Sequence, residues 1–199
     1  MKIGAMVWGV CLLFVASSLG CGGGSNRTPV ATVASPFTEA HARVFEDGID
    51  FVADPEVLEG TWGDDWASEL ERRVSDADLI ARVVVDTMRI DTDLDRNTSF
   101  RLEATIQETL LGEAPESEVT LAVHQGDPGY SSVEGNEQRI LHQPLVVYIK
   151  WYEVAEDDVR PHWHLSPASE GVLTRTRDLV ARRIEGPSDE PQRVIICQD

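Results

Sequence analysis

Lysine is nearly missing from this chain. Only Lys2 and Lys150 are lysines among the 17 basic residues, which face 35 acidic ones for a formal net charge of −18. So acidic a chain is repelled by phosphate backbones and anionic head groups, which excludes nucleic acid as a partner. Cysteine is scarce as well, with only Cys11, Cys21 and Cys197. A disulfide framework is therefore excluded. No internal repeat is visible, no glycine-rich loop has phosphate-binding spacing, and no serine sits in a nucleophile elbow. Aromatic residues are few. Trp62, Trp66, Tyr148, Trp151, Tyr152 and Trp163 read as core and rim, since a carbohydrate platform needs several on one exposed face.

What is present begins with an export signal. Lys2 is followed by an apolar, charge-free run from Ile3, then by Ser17, Ser18 and Gly20 before Cys21. That is the layout of a secretory signal peptide over residues 1–20. An uncleaved anchor and a plain secreted protein are the competing readings. The stretch "SSLGCGGGS" resembles the lipobox of bacterial lipoproteins, with Leu19 two residues before the cysteine rather than three. The resemblance implies cleavage before Cys21, its acylation, and attachment to the membrane through lipid. Gly22 stands where the enteric version of the family carries an aspartate that retains it in the inner membrane, which points to the outer membrane. Residues 21–36 are small, polar and proline-bearing, as expected of a flexible tether.

Residues 37–60 carry scattered apolar side chains and are expected to pack as an irregular arm on a domain spanning 61–199. In "DDWASELERRV", Trp66, Leu70 and Val74 recur on one helical face. Acids near its start and Arg72 and Arg73 near its end suit the helix dipole. Alternating strands follow. Leu79, Ala81, Val83 and Val85 share a face, as do Phe100, Leu102, Ala104 and Ile106, then Val119, Leu121 and Val123. "QPLVVYIKWYEV" reads as a longer, central strand, and "PHWHLSP" alternates again. Residues 172–186 fit a helix ending at Gly186-Pro187 or strands favoured by Thr174 and Thr176, with the balance toward strands. "RVIIC" places Cys197 as a small apolar residue on a final strand.

The pattern predicts a mainly β domain: a small antiparallel barrel or sandwich with one N-terminal helix. The segments "DADLIARVVV", "FRLEATIQETLLGE", "EVTLAV" and "LVVYIKWYE" are similar to bacterial envelope proteins with an OB-like, TIMP-like barrel. That family's inhibitors begin with a cysteine-x-cysteine wedge, which this chain lacks, so protease inhibition does not carry over. Fold likeness alone gives no function.

Three stretches could carry chemistry. In "DTDLDRNTSFRLE", Asp91, Asp93 and Asp95 alternate as in a calcium loop. Position 6 is Arg96 instead of glycine, position 12 is Leu102, and both flanks read as strands. A hairpin tip is the simpler reading. In "HWH", His162 and His164 share a strand face and could bind zinc with His124, His142 or a carboxylate as third ligand. The alternative is two imidazoles on a solvent-facing strand surface, with Trp163 in the core. In "GDPGYSSVEGN", Tyr130 lies on a turn-rich loop where it could touch a ligand. Tyr148 and Tyr152 share a strand face with Lys150, a further hint of a binding surface. No cofactor is expected unless zinc or calcium binds. The reading is a lipid-anchored envelope protein acting as a non-enzymatic interaction module, with other envelope proteins as possible partners. A metal-binding envelope protein or metal-dependent hydrolase is the alternative.

Overall fold

A computed structural model describes residues 35–186, except 115, 156 and 157. The leader 1–20, Cys21, most of the tether, and the final strand expected around Cys197 lie outside the described residues. The elements are β1 (Ser35–Pro36), α1 (Glu39–Ala42), β2 (Gly48–Ile49), a 3-10 turn at Pro55–Val57, α2 (Thr61–Asp76), β3 (Leu79–Thr92), β4 (Thr98–Leu111), β5 (Glu118–His124), α3 (Tyr130–Val133), α4 (Glu137–Ile140), β6 (Pro144–Ala155), β7 (Asp158–Pro167) and α5 (Glu170–Glu185).

The fold is mainly β, a sheet curled into a half-barrel. Strand order is β2-β7-β6-β3-β4-β5, with β1 added alongside β6. Strands β3, β4 and β5 form the expected meander, and β6 lies between β3 and β7, all antiparallel. Alternation sorts the side chains onto two faces. Leu79, Ala81, Val83, Leu102, Leu121, Val147, Ile149, Trp163 and Leu165 fill the inner face, which Val133 of α3 and Ile140 of α4 cover. Ile80, Val146 and Tyr148 point outward and are covered by α2 and α5. At about 1.5–3 kcal/mol for each large apolar side chain fully buried, these two cores dominate the stability.

Helix α2 arises as its spacing predicts, burying Trp66, Leu70 and Val74. Residues 172–186 do not form strands. They belong to helix α5, which buries Val172, Leu173, Thr176 and Val180. Ser169 Oγ caps its start by accepting from Val172 N at 3.3 Å, and Gly186, at φ 74°, ends it. Helical spacing of the apolar residues outweighs the β preference of two threonines because it gives α5 a continuous face to lay on the sheet. The buried Thr176 hydroxyl is satisfied by Tyr148 Oη at 2.8 Å. The single expected N-terminal helix is thus joined by a second one of equal length.

Candidate functional site

The arm sequence "FEDGIDF", residues 45–51, interleaves acids with apolar residues. Phe45 is buried in the outer core and Ile49 in the inner core. The arm therefore crosses from one face of the sheet to the other, and it does so at the edge of β7. Gly48 and Ile49 pair there in parallel with His164 and Leu165. The acids fall where the crossing needs acceptors for β7.

Asp47 sits in the left-handed region at φ 56°. Its two oxygens take Trp163 N at 2.9 Å and His162 Nδ1 at 2.7 Å, while its own amide donates to Trp163 O at 2.9 Å. Asp50 Oδ2 accepts from Ser166 Oγ at 2.8 Å and pairs with His164 Nε2 at 3.0 Å, and its Oδ1 takes Val52 N at 3.0 Å. Arg73 reaches in from α2. Its Nε donates to Val44 O at 3.3 Å, its Nη2 to Glu69 Oε2 at 3.0 Å, and its Nη1 lies 3.6 Å from Asp50 Oδ2. Backbone contact closes the arrangement. Gly129 N donates to Glu46 O, and a Cβ on Gly129 would stand 2.4 Å from Gly48 N.

The electrostatics follow from burial. His164 is 1% exposed, and burial with Arg73 nearby lowers its pKa to about 4 against the partial opposition of Asp50. It is neutral at pH 7. With Asp50 ionised, Nε2 carries the proton, and the buried Nδ1 has no hydrogen-bond partner, Glu46 Oε1 standing 3.7 Å away. Burial also pushes up Asp47 and Glu46. Asp50, though burial acts to raise it, is held below the usual carboxylate range by His164 and Ser166. Ser166 donates to Asp50 rather than to His164, so the serine-to-imidazole bond of a nucleophilic triad is not formed. His162 is stacked on Phe37 with ring centroids 4.0 Å apart, and Tyr152 meets both rings edge-on. This arrangement works as a latch that holds the arm.

The sequence-predicted site residues are thus dispersed. His162 and His164 share a face, yet that face is not solvent-exposed: α2 and the arm cover it, and each imidazole is engaged by an arm carboxylate. Asp91, Asp93 and Asp95 lie at the β3–β4 tip. Asp93 spends its oxygens on the turn, accepting from Asp95 N, Asn97 N and Asn97 Nδ2. Asp91 faces Arg101 at 3.7 Å. Arg96 takes the left-handed φ of 68° that a calcium loop reserves for glycine. His124 ends β5, and His142, at φ 60°, bonds its amide to Val85 O. Among the described residues no group of three or more His, Cys, Asp or Glu side chains could hold a metal ion. Tyr130 is half-buried; its hydroxyl engages Thr98 Oγ1 and its ring lies against Phe100. Tyr148 and Tyr152 are fully buried, and burial raises the pKa of both. They form no exposed surface, because α5 covers one and Phe37 and His41 cover the other. Sequence reasoning missed Asp47, Asp50 and Arg73. The signal was Asp47 and Asp50 interleaved with Phe45, Ile49 and Phe51 in "FEDGIDF".

Compared with known proteins, the chain matches no family model, no curated protein and no solved structure.

Proposed function

We propose that this chain is a lipoprotein of the bacterial cell envelope, held on the outer membrane through Cys21, whose half-barrel is a non-enzymatic binding module. The observation that carries the reading is the cysteine placed directly between a charge-free apolar run and a glycine-rich stretch. The 13 residues between Cys21 and Ser35 span roughly 50 Å at most when extended. That length lets a folded domain stand in water clear of the bilayer. Two or more acyl chains are needed to hold such a domain stably, since one holds only marginally. The strong negative charge keeps the domain itself off anionic head groups. The latch supports a binding role over a catalytic one, because its imidazoles are committed to carboxylates of the arm.

Expression of the full chain with labelled palmitate tests the anchor. The label is expected on the membrane-bound protein and is expected to vanish, with release from the membrane, in Cys21→Ser. An unlabelled protein that stays in the membrane would make the apolar run an uncleaved anchor. An unlabelled soluble protein would make it a plain secretory signal.

A further inference from the structure

At the turn that leads into α2, residues 53–65 read "ADPEVLEGTWGDD". The stretch carries five acids, Asp54, Glu56, Glu59, Asp64 and Asp65, and no lysine, arginine or histidine. Among the described residues none of the five forms an ion pair, whereas Asp91, Glu103 and Glu108 on β3 and β4 each face an arginine. Asp64 and Asp65 also suit the N-terminal end of the helix dipole. Glu56 and Glu59 lie ahead of the helix.

Large apolar surface stands among these charges. Val57 is 69% exposed and Trp62 is 77% exposed. The backbone beneath them is fixed. Asp54 Oδ1 accepts from Glu56 N at 3.1 Å, Pro55 is buried against Gly171 of α5, and a Cβ on Gly63 would lie 3.2 Å from Leu58 O. Leu58 packs on the outer core. Pro55 and Leu58 thus anchor the corner, while Val57 and Trp62, on either side of the Leu58–Gly63 contact, are left turned outward. An apolar, aromatic centre with a charged rim is the make-up of an interaction surface.

We infer that this corner docks a cationic amphipathic segment of another protein, one whose lysines and arginines flank apolar side chains. This rests on the binding-module reading above and names the chemistry of the partner. Trp62 and Val57 would take the apolar side chains, and the indole face also attracts a cation. The five carboxylates would take the flanking basic groups. Charge decides against the other occupants. A second copy brings the same five acids and the same −18, and an anionic membrane surface is repelled as well. A small polyamine answers the charge but leaves Val57 and Trp62 in water.

The test is fluorescence anisotropy of a dye-labelled synthetic peptide, two copies of LKKLLKL, titrated with the full chain in nanodiscs of zwitterionic lipid. Empty discs give the background. Two companion peptides replace every lysine by glutamate, or every leucine by serine. Saturable binding is expected for the parent peptide and is expected to weaken as salt rises. Trp62→Ala should weaken it roughly tenfold, and Glu56→Gln with Glu59→Gln by roughly threefold to tenfold. Thermal unfolding should be unchanged in both variants, since the replaced side chains are exposed. Glu113→Gln with Glu116→Gln makes the same change of charge on the β4–β5 turn, which meets Asp78 just beyond the other end of α2. That pair should leave binding intact. Absence of saturable binding overturns the inference, as does equal binding of either companion peptide. So does binding that Trp62→Ala leaves unchanged. Equal weakening by the two glutamate pairs also overturns it, because the attraction would then belong to the acidic chain as a whole. Cys21→Ser should bind the peptide as the parent chain does, so failure of the anchor and failure of the corner are separately visible.

Discussion

Trp163 Nε1 donates to Ala122 O at 3.0 Å, joining β7 to β5 although three strands separate them in the ladder. The bond is the measure of how far the sheet curls. It also satisfies a buried indole and a carbonyl on the free edge of β5. Trp163→Phe removes this donor together with a small part of the buried apolar volume, so a cavity cost adds to that of the bond. Chemical denaturation is expected to show a loss of about 0.5–1.5 kcal/mol from the hydrogen bond. A change in the slope m instead would mean that the curl itself had opened.

His164 makes folding stability depend on pH. Its folded pKa of about 4 lies below the ordinary value of 6.5. The unfolded chain therefore binds the proton first as pH falls. The contribution is intact above pH 6.5 and is lost progressively down to about pH 4. Across that window one proton corresponds to a slope of about 1.4 kcal/mol per pH unit. Asp47 and Glu46, whose pKa values are raised, act in the opposite sense. Comparing His164→Gln with the parent chain isolates the histidine: the variant's stability should fall less steeply between pH 6.5 and 4.

Asp47 is the pin of the latch. Asp47→Asn tolerates the left-handed backbone but replaces one carboxylate oxygen with an amide that cannot accept from both Trp163 N and His162. The expected cost is about 1.5–3 kcal/mol, as for hydrogen bonds to a charged group. Hydrogen exchange should accelerate at Asp50 N, which bonds Leu165 O, before it does in β3. Uniform acceleration throughout the sheet would show that the arm does not open separately.

Gly129 tests the latch from its other side. A methyl group there would meet Gly48 N at 2.4 Å and Asp47 O at 2.5 Å, all backbone that cannot swing aside. Gly129→Ala is expected to destabilise by about 1–3 kcal/mol, the usual range for overpacking. Protease cleavage near residues 45–52 should become faster. An unchanged cleavage pattern would mean that the loop, rather than the arm, yields.

The hairpin tip makes a separate prediction. Because Asp93 gives its oxygens to amides of the turn, calcium would have to displace those bonds to bind. Millimolar calcium should leave the thermal midpoint unchanged, and a rise that disappears in Asp93→Ala would establish a site.

The strands of the meander, helix α2 and the hairpin at Asp93 were readable one segment at a time. Each rests on local periodicity or turn chemistry, which a short window contains in full. Helix α5 was legible only in part, since Thr174 and Thr176 supply a β preference that its apolar spacing contradicts. What covers each face was not legible. "HWH" states that His162 and His164 point the same way, but not that Asp47 lies against His162 from 115 residues away. Likewise Tyr148 and Tyr152 read as a face with Lys150, and only the packing of α5 and of the Phe37 segment turns that face inward. The alternation, the leader-like start and the acidic charge are properties of the residues in order. The burial of His164 and the latch at β7 arise only in the packed fold, because burial and partnership come from segments distant in the chain, and no local pattern encodes them.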